Sequence, residues 1–481
     1  MKNKYDLLIN GKYVKSSSGK YFPIENPSNL ETVAECAQAN ITDVQSALEA
    51  ADIAFQTWKK TSARERCEIL HKGASQIREK IPAIAELLTK ENGKPLNDSI
   101  KEIKFSADVI DYYAEEARRL SGITLDGDGQ PTFSVIIKQP IGVVGAICPY
   151  NFPVDIMAWK IGPALSVGCT IVIKLSPDAP LAAFEFANCF QEVGLPPGVM
   201  NLLFGFADVG EELVKNSLSR KISFTGSVAT GVKIAQQAAN KLKSLTLELG
   251  GSCPLIVFND ADMNLAVREA VRRRFSHTGQ ICVSADRIYV QKEIADEFIE
   301  RFVDKVSKLR IGDGIKNPDA DLGPLINKIS VERMNKFLSD AIEKGAKVLC
   351  GGKQPEDPDL RKGYFYMPTV LTNVNKEMLV MSEETFGPIA PIDTFSTIEE
   401  AIEKANDSIY GLAAYIYTNN IDIAMKASKE IEAGGVGVNN NNTSTINAPF
   451  GGWKMSGVGR ELGQVGLDAY LEYKHILIRE K

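Results

Sequence analysis

Histidine is scarce: His71, His277 and His475 are the only three in 481 residues. Chemistry that needs a histidine cluster, such as zinc hydrolysis, has little to work with. The eight cysteines (Cys36, Cys67, Cys148, Cys169, Cys189, Cys253, Cys282 and Cys350) include no C-x-x-C pair. Their irregular spacing argues against both a disulfide framework and a zinc site, and no metal is expected. That usage fits a reducing compartment, the cytoplasm. No apolar run is long enough to span a bilayer. The opening "MKNKYDLLINGKYV" lacks the apolar core and small-residue cleavage site of a secretory signal. The net charge of −6 is spread along the chain without a basic patch, so nucleic acid is not an expected partner.

What remains has the composition of a globular protein, 44% hydrophobic and 24% charged, in a chain too long for one ordinary core. Short β-branched runs alternate with longer helical periods, the pattern of α/β architecture. "ITDVQSALEAADIAFQTW" reads as an early helix. Thr42 and Gln45 would form its capping box, with Val44, Ala47, Leu48, Ala51 and Phe55 on one face. "FSVIIK", "IGVVGAIC", "CTIVIKLS", "NLLFG", "ISFTGS" and "LTLELGG" read as strands. A second alternating series begins near Cys253 with "PLIVF" and runs through "RIYVQ" and "GGVGVN". Parallel strands with helical crossovers predict two doubly wound, Rossmann-like domains. They should meet at a cleft, with a boundary near residue 250. The closing "LDAYLEYKHILI" predicts a terminal edge strand.

Several short stretches carry chemistry if they sit correctly, and each has a plainer reading. In "FSHTGQICVSADR", Cys282 is either a buried thiol or an activated nucleophile, and His277 is the nearest base. In "LELGG", Glu248 follows a strand. It is either solvent-facing or desolvated enough to serve as a general base. In "PYNFP", two prolines fix the backbone around Asn151, which caps a turn or aims its amide at a developing negative charge. "FTGSVATG" places Gly226 and Ser227 at a strand-to-helix turn, suited to a pyrophosphate or simply to turning. "EETFGP" and "PFGGWKMSGVGRELG" read as loops anchored by aromatic residues.

Taken together, "PYNFP", "FTGS", "LELGG", "GQIC", "EETFGP" and "PFGGWKMSGVGRELG" occur in one order, with Glu248 and Cys282 34 residues apart. The whole chain resembles the aldehyde dehydrogenase superfamily. The resemblance implies a cofactor domain (residues 1–121 and 142–247), a catalytic domain (248–463) and a β oligomerisation flap (122–141 and 464–481). A homodimer or homotetramer is then expected. Cys282 is the implied nucleophile toward an aldehyde, Asn151 the oxyanion donor and Glu248 the base for hydrolysis of a thioester. Lys160 would tune the site. The implied cofactor is NAD or NADP. Lys174 and Glu384 would hold its riboses and Ser227 its pyrophosphate, with Phe386 near the nicotinamide. Gly205, Gly210 and Gly231 would lie on the adenine side. Ser176, Pro177, Phe224, Gly226 and Leu249 complete the expected cofactor contacts.

Two departures bear on specificity. NAD-preferring members often carry glutamate three residues after the lysine; here "KLSPD" places Pro177 there, so NADP is expected to be tolerated or preferred. Asp178 could restore some NAD preference. Enzymes for succinate semialdehyde commonly clamp the distal carboxylate with two arginines, at the positions held here by Trp159 and Ser276. Their absence, together with Tyr150 and Thr443, points to a small or medium neutral aldehyde, hydroxylated or aromatic. Arg272, Arg273 and Arg274 lie near, with directions the sequence leaves open. A succinate-semialdehyde type enzyme, a CoA-acylating relative and a non-catalytic member of the fold are the alternatives.

Overall fold

The computed structural model describes residues 3–126 and 132–479. Val143–Ile147 (VVGAI) has no polar side chain, Thr170–Lys174 (TIVIK) has them only at its two ends, and both strands are buried throughout, as parallel strands covered on both faces must be. They lie in an eight-stranded sheet. Its order is Gly457–Val458, Ser244–Glu248, Ser219–Thr225, Val143–Ile147, Thr170–Lys174, Met200–Leu203, Leu7–Ile9 and Lys12–Val14. The five central strands run parallel, and antiparallel strands close both edges.

A seven-stranded sheet follows the order Lys347–Cys350, Thr369–Thr372, Ile389–Phe395, Arg287–Gln291, Pro254–Val257, Ala413–Tyr417 and Gly435–Val438. It too is parallel apart from its first strand. The fold is thus α/β with two doubly wound sheets. The short strand Gly457–Val458 rejoins the first sheet beside Ser244–Glu248. The chain therefore returns to the first sheet before the expected limit at 463.

A smaller antiparallel sheet joins Ile123–Leu125, Thr132–Pro140 and Leu471–Arg479, the last lying at an edge. It spans the segments expected as the flap, of which residues 127–131 and 480–481 lie outside the described residues. A further three-stranded sheet near the start contains Lys4–Tyr5, Thr32–Ala37 and Tyr21–Glu25.

The first helix, Ile41–Trp58, buries Val44, Ala47, Leu48, Ala51, Ala54 and Trp58. Its capping box is Asn40 with Asp43 rather than Thr42 with Gln45. Both pairs have the right spacing. Asn40 wins because an asparagine already in extended backbone can accept from the amides of Thr42 and Asp43. Among the described residues no helix is long and apolar enough to cross a membrane.

Candidate active site

The loop that carries Cys282 leaves the Met263–Phe275 helix through three consecutive left-handed residues: His277 (φ 48°), Thr278 (φ 57°) and Gly279 (φ 76°). Only glycine adopts that region freely. A non-glycine residue held there costs about 1–3 kcal/mol, most for a β-branched one such as Thr278. Hydrogen bonds hold the turn. Thr278 Oγ1 donates to Gly323 O at 2.8 Å, the Ile326 amide donates to Gln280 Oε1 at 3.0 Å, and Gln280 Nε2 donates to His277 O at 3.3 Å. Arg274, fully buried, donates to Asp286, to Ser284 Oγ at 2.8 Å and to Gly387 O. The Gly-Gln before the cysteine is therefore a clamp that fixes where the sulfur points.

His277 is not paired with it. Its ring meets Phe152 edge-on at 5.4 Å, and no hydrogen bond joins it to Cys282 among the described residues. Burial, then the Lys94 charge, hold its pKa well below the usual histidine range, so it stays neutral.

Two cavities, of about 730 and 760 Å³, meet at a shared wall made of Asn151, Ile156, Thr225, Glu248, Leu249 and Cys282. Glu248 ends the Ser244–Glu248 strand, and both of its carboxyl oxygens are buried without a hydrogen-bond partner among the described residues. Burial, then the neighbouring Glu461 charge, push its carboxyl well above the usual range. Burial likewise pushes the Cys282 thiol up, Glu384 adds to this, and Arg273 opposes it. Asn151 lies just ahead of the Pro153–Val167 helix. Its Nδ2 donates to Gln280 O at 3.0 Å, leaving a second N–H for another acceptor. Lys94 Nζ donates to Asn151 O at 2.8 Å and pairs with Glu102. Glu102 in turn accepts from the amides of Val154 and Asp155 at the start of that helix.

The larger cavity lies over the carboxyl ends of the first sheet. Ser227 is the N-cap of the Val228–Ala239 helix, and its side chain accepts from the Thr230 amide. That helix end offers backbone donors to an anion. Lys174 ends its strand and is almost wholly buried. Among the described residues its Nζ meets only Leu175 O, at 3.3 Å, and no carboxylate, and burial brings its pKa down to about 8. Across the cavity, Glu384 Oε1 accepts from the Gly251 amide at 3.1 Å, and burial pushes its pKa up to about 8. A Cβ on Gly250 would come within 2.5 Å of Glu384 Oε2, so only glycine lets this carboxylate approach. Phe386, itself left-handed at φ 51°, meets the Tyr150 ring edge-on at 6.0 Å. A buried unpaired ammonium, an open helix N-terminus and a facing carboxylate are the donors and acceptor that a dinucleotide's phosphates and ribose hydroxyls would use. The residues fit such a cofactor.

Of the expected cofactor residues, Lys174, Ser176, Pro177, Gly210, Phe224, Gly226, Ser227, Leu249, Glu384 and Phe386 line this cavity. Gly231 does not. A Cβ there would stand 2.5 Å from Leu249 Cδ2, so its smallness lets helix and loop pack. Gly205 also lies outside the lining and packs on Val209. Asp178 accepts from Asn327 Nδ2 at 3.3 Å and is not on the cavity wall.

Two other expectations change. Tyr150 faces the cofactor-side cavity rather than the aldehyde side, because the turn before the helix points it at Phe386. Thr443 stays off the wall, packed near Gly435, while Asn439 to Asn442 and Ser444 take the wall positions. Trp159 and Ser276 do line the second cavity. Lys160 lies behind the wall, donating to Glu461 Oε1 at 2.6 Å and to Thr225 Oγ1 at 2.9 Å, so it acts through those two wall residues. Glu461 went unread although it stands inside "GRELG". Lys94, Glu102 and Glu269 carried no sequence signal at all.

The fold and this double cavity are those of a dinucleotide-dependent oxidoreductase with a cysteine at the junction. The chain belongs to the aldehyde dehydrogenase family, whose model matches residues 13–476. Over 476 residues it is 41% identical to the succinate-semialdehyde dehydrogenase [NADP(+)] GabD of Escherichia coli (strain K12), covering 99% of this chain and 98% of that one. It is also 41% identical over 474 residues to the mitochondrial succinate-semialdehyde dehydrogenase of Oryza sativa subsp. japonica, covering 98% and 88% of the two chains. The crystal structure of betaine aldehyde dehydrogenase from Staphylococcus aureus in complex with NAD+ superposes with a TM-score of 0.97 at 37% identity, over 99% of this chain and 95% of that one. The protein is an aldehyde-oxidising oxidoreductase that uses NAD or NADP.

Proposed function

We propose that the protein oxidises an aldehyde to its carboxylic acid through a thioester on Cys282. The single observation that carries this reading is the shared wall, where Cys282, Asn151 and Glu248 stand between a cavity fit for a dinucleotide and a second one open to an aldehyde.

Cys282 Sγ, as thiolate, adds to the carbonyl carbon and forms a hemithioacetal oxyanion. The free N–H of the Asn151 amide stabilises that oxygen, already aimed by the bonds at Gln280 and Lys94. A nicotinamide cofactor held in the adjoining cavity supplies the hydride acceptor. Loss of hydride from the former carbonyl carbon leaves the thioester. Glu248 then takes a proton from water, whose oxygen attacks the thioester carbon. The acid leaves, the sulfur is released as thiolate, and Glu248 gives its proton up to solvent. Both Glu248 oxygens lack partners, so the carboxylate is free to hold that water. Lys160, paired with Glu461 and bonded to Thr225, keeps a counter-charge behind this wall. An acylating transfer to CoA has no use for a base so placed, and hydrolysis is favoured.

Aldehyde-dependent appearance of NADH or NADPH, measured across a panel of aldehydes, tests the reading. Cys282→Ala should abolish it while the cofactor still binds. Retained turnover in that variant would contradict the assignment.

A further inference from the structure

The aldehyde-side cavity carries an unbalanced charge. Besides His277 and Cys282, ten acidic or basic side chains line it. On the side of the Leu96–Ala117 helix, Lys101 pairs with Asp98 at 2.8 Å and Lys94 with Glu102. Asp155 accepts from Trp159 Nε1 at 2.8 Å. Burial and the nearby Glu102 push its carboxyl well above the usual range, so it carries little charge. Glu248 is held up in the same direction, and Glu461 has Lys160. Glu269 is taken by Arg268 at 2.9 Å and by the Asn441 amide. Only Arg272 and Arg273 are left without an ionic partner among the described residues. Arg272 is exposed at the mouth, whereas Arg273 is half-buried.

Arg273 is also held in place. Its guanidinium lies over the Tyr415 ring, 5.4 Å from the centroid, and the Tyr415 hydroxyl donates to Val283 O at 2.7 Å, next to the nucleophile. Its Nε is buried and meets no acceptor among the described residues. Glu269, one turn earlier on the same helix, would be the natural (i, i+4) partner, but its bonds run to Arg268 and Asn441. A guanidinium fixed on an aromatic face, with a desolvated N–H unmet, is a binding group awaiting an anion.

We infer that Arg273 holds an anionic group, a carboxylate or a sulfonate, at the far end of the substrate, so the aldehyde is a short anionic one. This rests on the thioester reading above. It replaces the expectation of a neutral substrate drawn from Trp159 and Ser276. The two positions commonly used for such a clamp are empty of charge, and the arginine sits instead one turn before the nucleophile loop.

The test compares succinate semialdehyde, sulfoacetaldehyde and butanal on the intact enzyme, its Arg273→Gln and Arg273→Lys variants, and Arg272→Gln. The wild type should prefer at least one anionic aldehyde to butanal. Arg273→Gln should raise KM for that aldehyde at least about tenfold, with a much smaller change in kcat, so that the anionic-to-neutral ratio of kcat/KM collapses. Arg273→Lys should recover part of the loss, and Arg272→Gln should cost less. The two anionic probes separate carboxylate from sulfonate. A wild type that oxidises butanal as readily as either anion, an equal loss for all aldehydes in Arg273→Gln, or a larger effect from Arg272→Gln would overturn the assignment and leave Cys282 chemistry standing. Turnover of no aldehyde, with no acyl group on Cys282, would take both readings down.

Discussion

The two cavities share a wall but are built differently. The cofactor side is made of strand ends and the turns that leave them: Lys174 at one strand end, Gly226 and Ser227 at another, and Gly250 beside Glu384. The aldehyde side is made of helix side chains and a loop: Trp159, Arg273, Glu269 and the asparagines from Asn439 to Asn442. Backbone geometry dictates residue type in the first region. In the second, the direction of each side chain decides what it does. A motif therefore reports the cofactor and the chemistry, and leaves the substrate open.

The largest expected effect lies at the shared wall. Cys282→Ala should lose at least about 10⁴-fold in kcat, read as cofactor reduction, since removing a nucleophile removes the covalent route. Glu248→Gln should slow steady-state turnover by about 10²–10⁴-fold, with acyl-enzyme accumulating. The pH dependence follows from the direction of the Glu248 shift. Its raised pKa leaves the carboxyl protonated at lower pH, and only the ionised form can take a proton from water. The hydrolytic rate should therefore climb as pH rises, and Glu248→Gln should remove that limb.

On the cofactor side the effects are smaller. The Lys174 ammonium, brought down to about 8, is charged below that pH and neutral above it. Cofactor KM should rise by up to about tenfold between roughly pH 7 and pH 9, and Lys174→Met should flatten the profile. Pro177→Glu would place a carboxylate on the cavity wall that Asp178 does not reach. The ratio of kcat/KM for NAD over NADP should rise by about tenfold, some 1.4 kcal/mol. An unchanged ratio would mean that this wall does not set the choice.

The same contrast explains what could be read beforehand. The α/β pattern and the parallel strands were legible because continuous apolar runs such as VVGAI allow little else. Cys282, Glu248 and Asn151 stood out only as members of an ordered set of motifs, and the structure then brings them to one wall. The three arginines at 272 to 274 were visible but undirected. Successive helical residues point about 100° apart, so one is exposed, one faces the cavity and one is buried against Asp286. Lys160 was legible as a group that tunes the site, but its route was not, because the sequence does not reveal that Glu461, 301 residues later, takes its ammonium. Tyr150 and Asn151 are neighbours, yet the proline-fixed turn sends the tyrosine to Phe386 and gives Asn151 a place on the shared wall.

The most direct measurement is the mass of the enzyme trapped in mid-reaction. Glu248→Gln, mixed with aldehyde and oxidised cofactor and quenched in acid, should gain the mass of one acyl group, located by peptide mapping on Cys282. An unmodified chain despite reduction of the cofactor, or an acyl group on any of the other seven cysteines, would contradict the account.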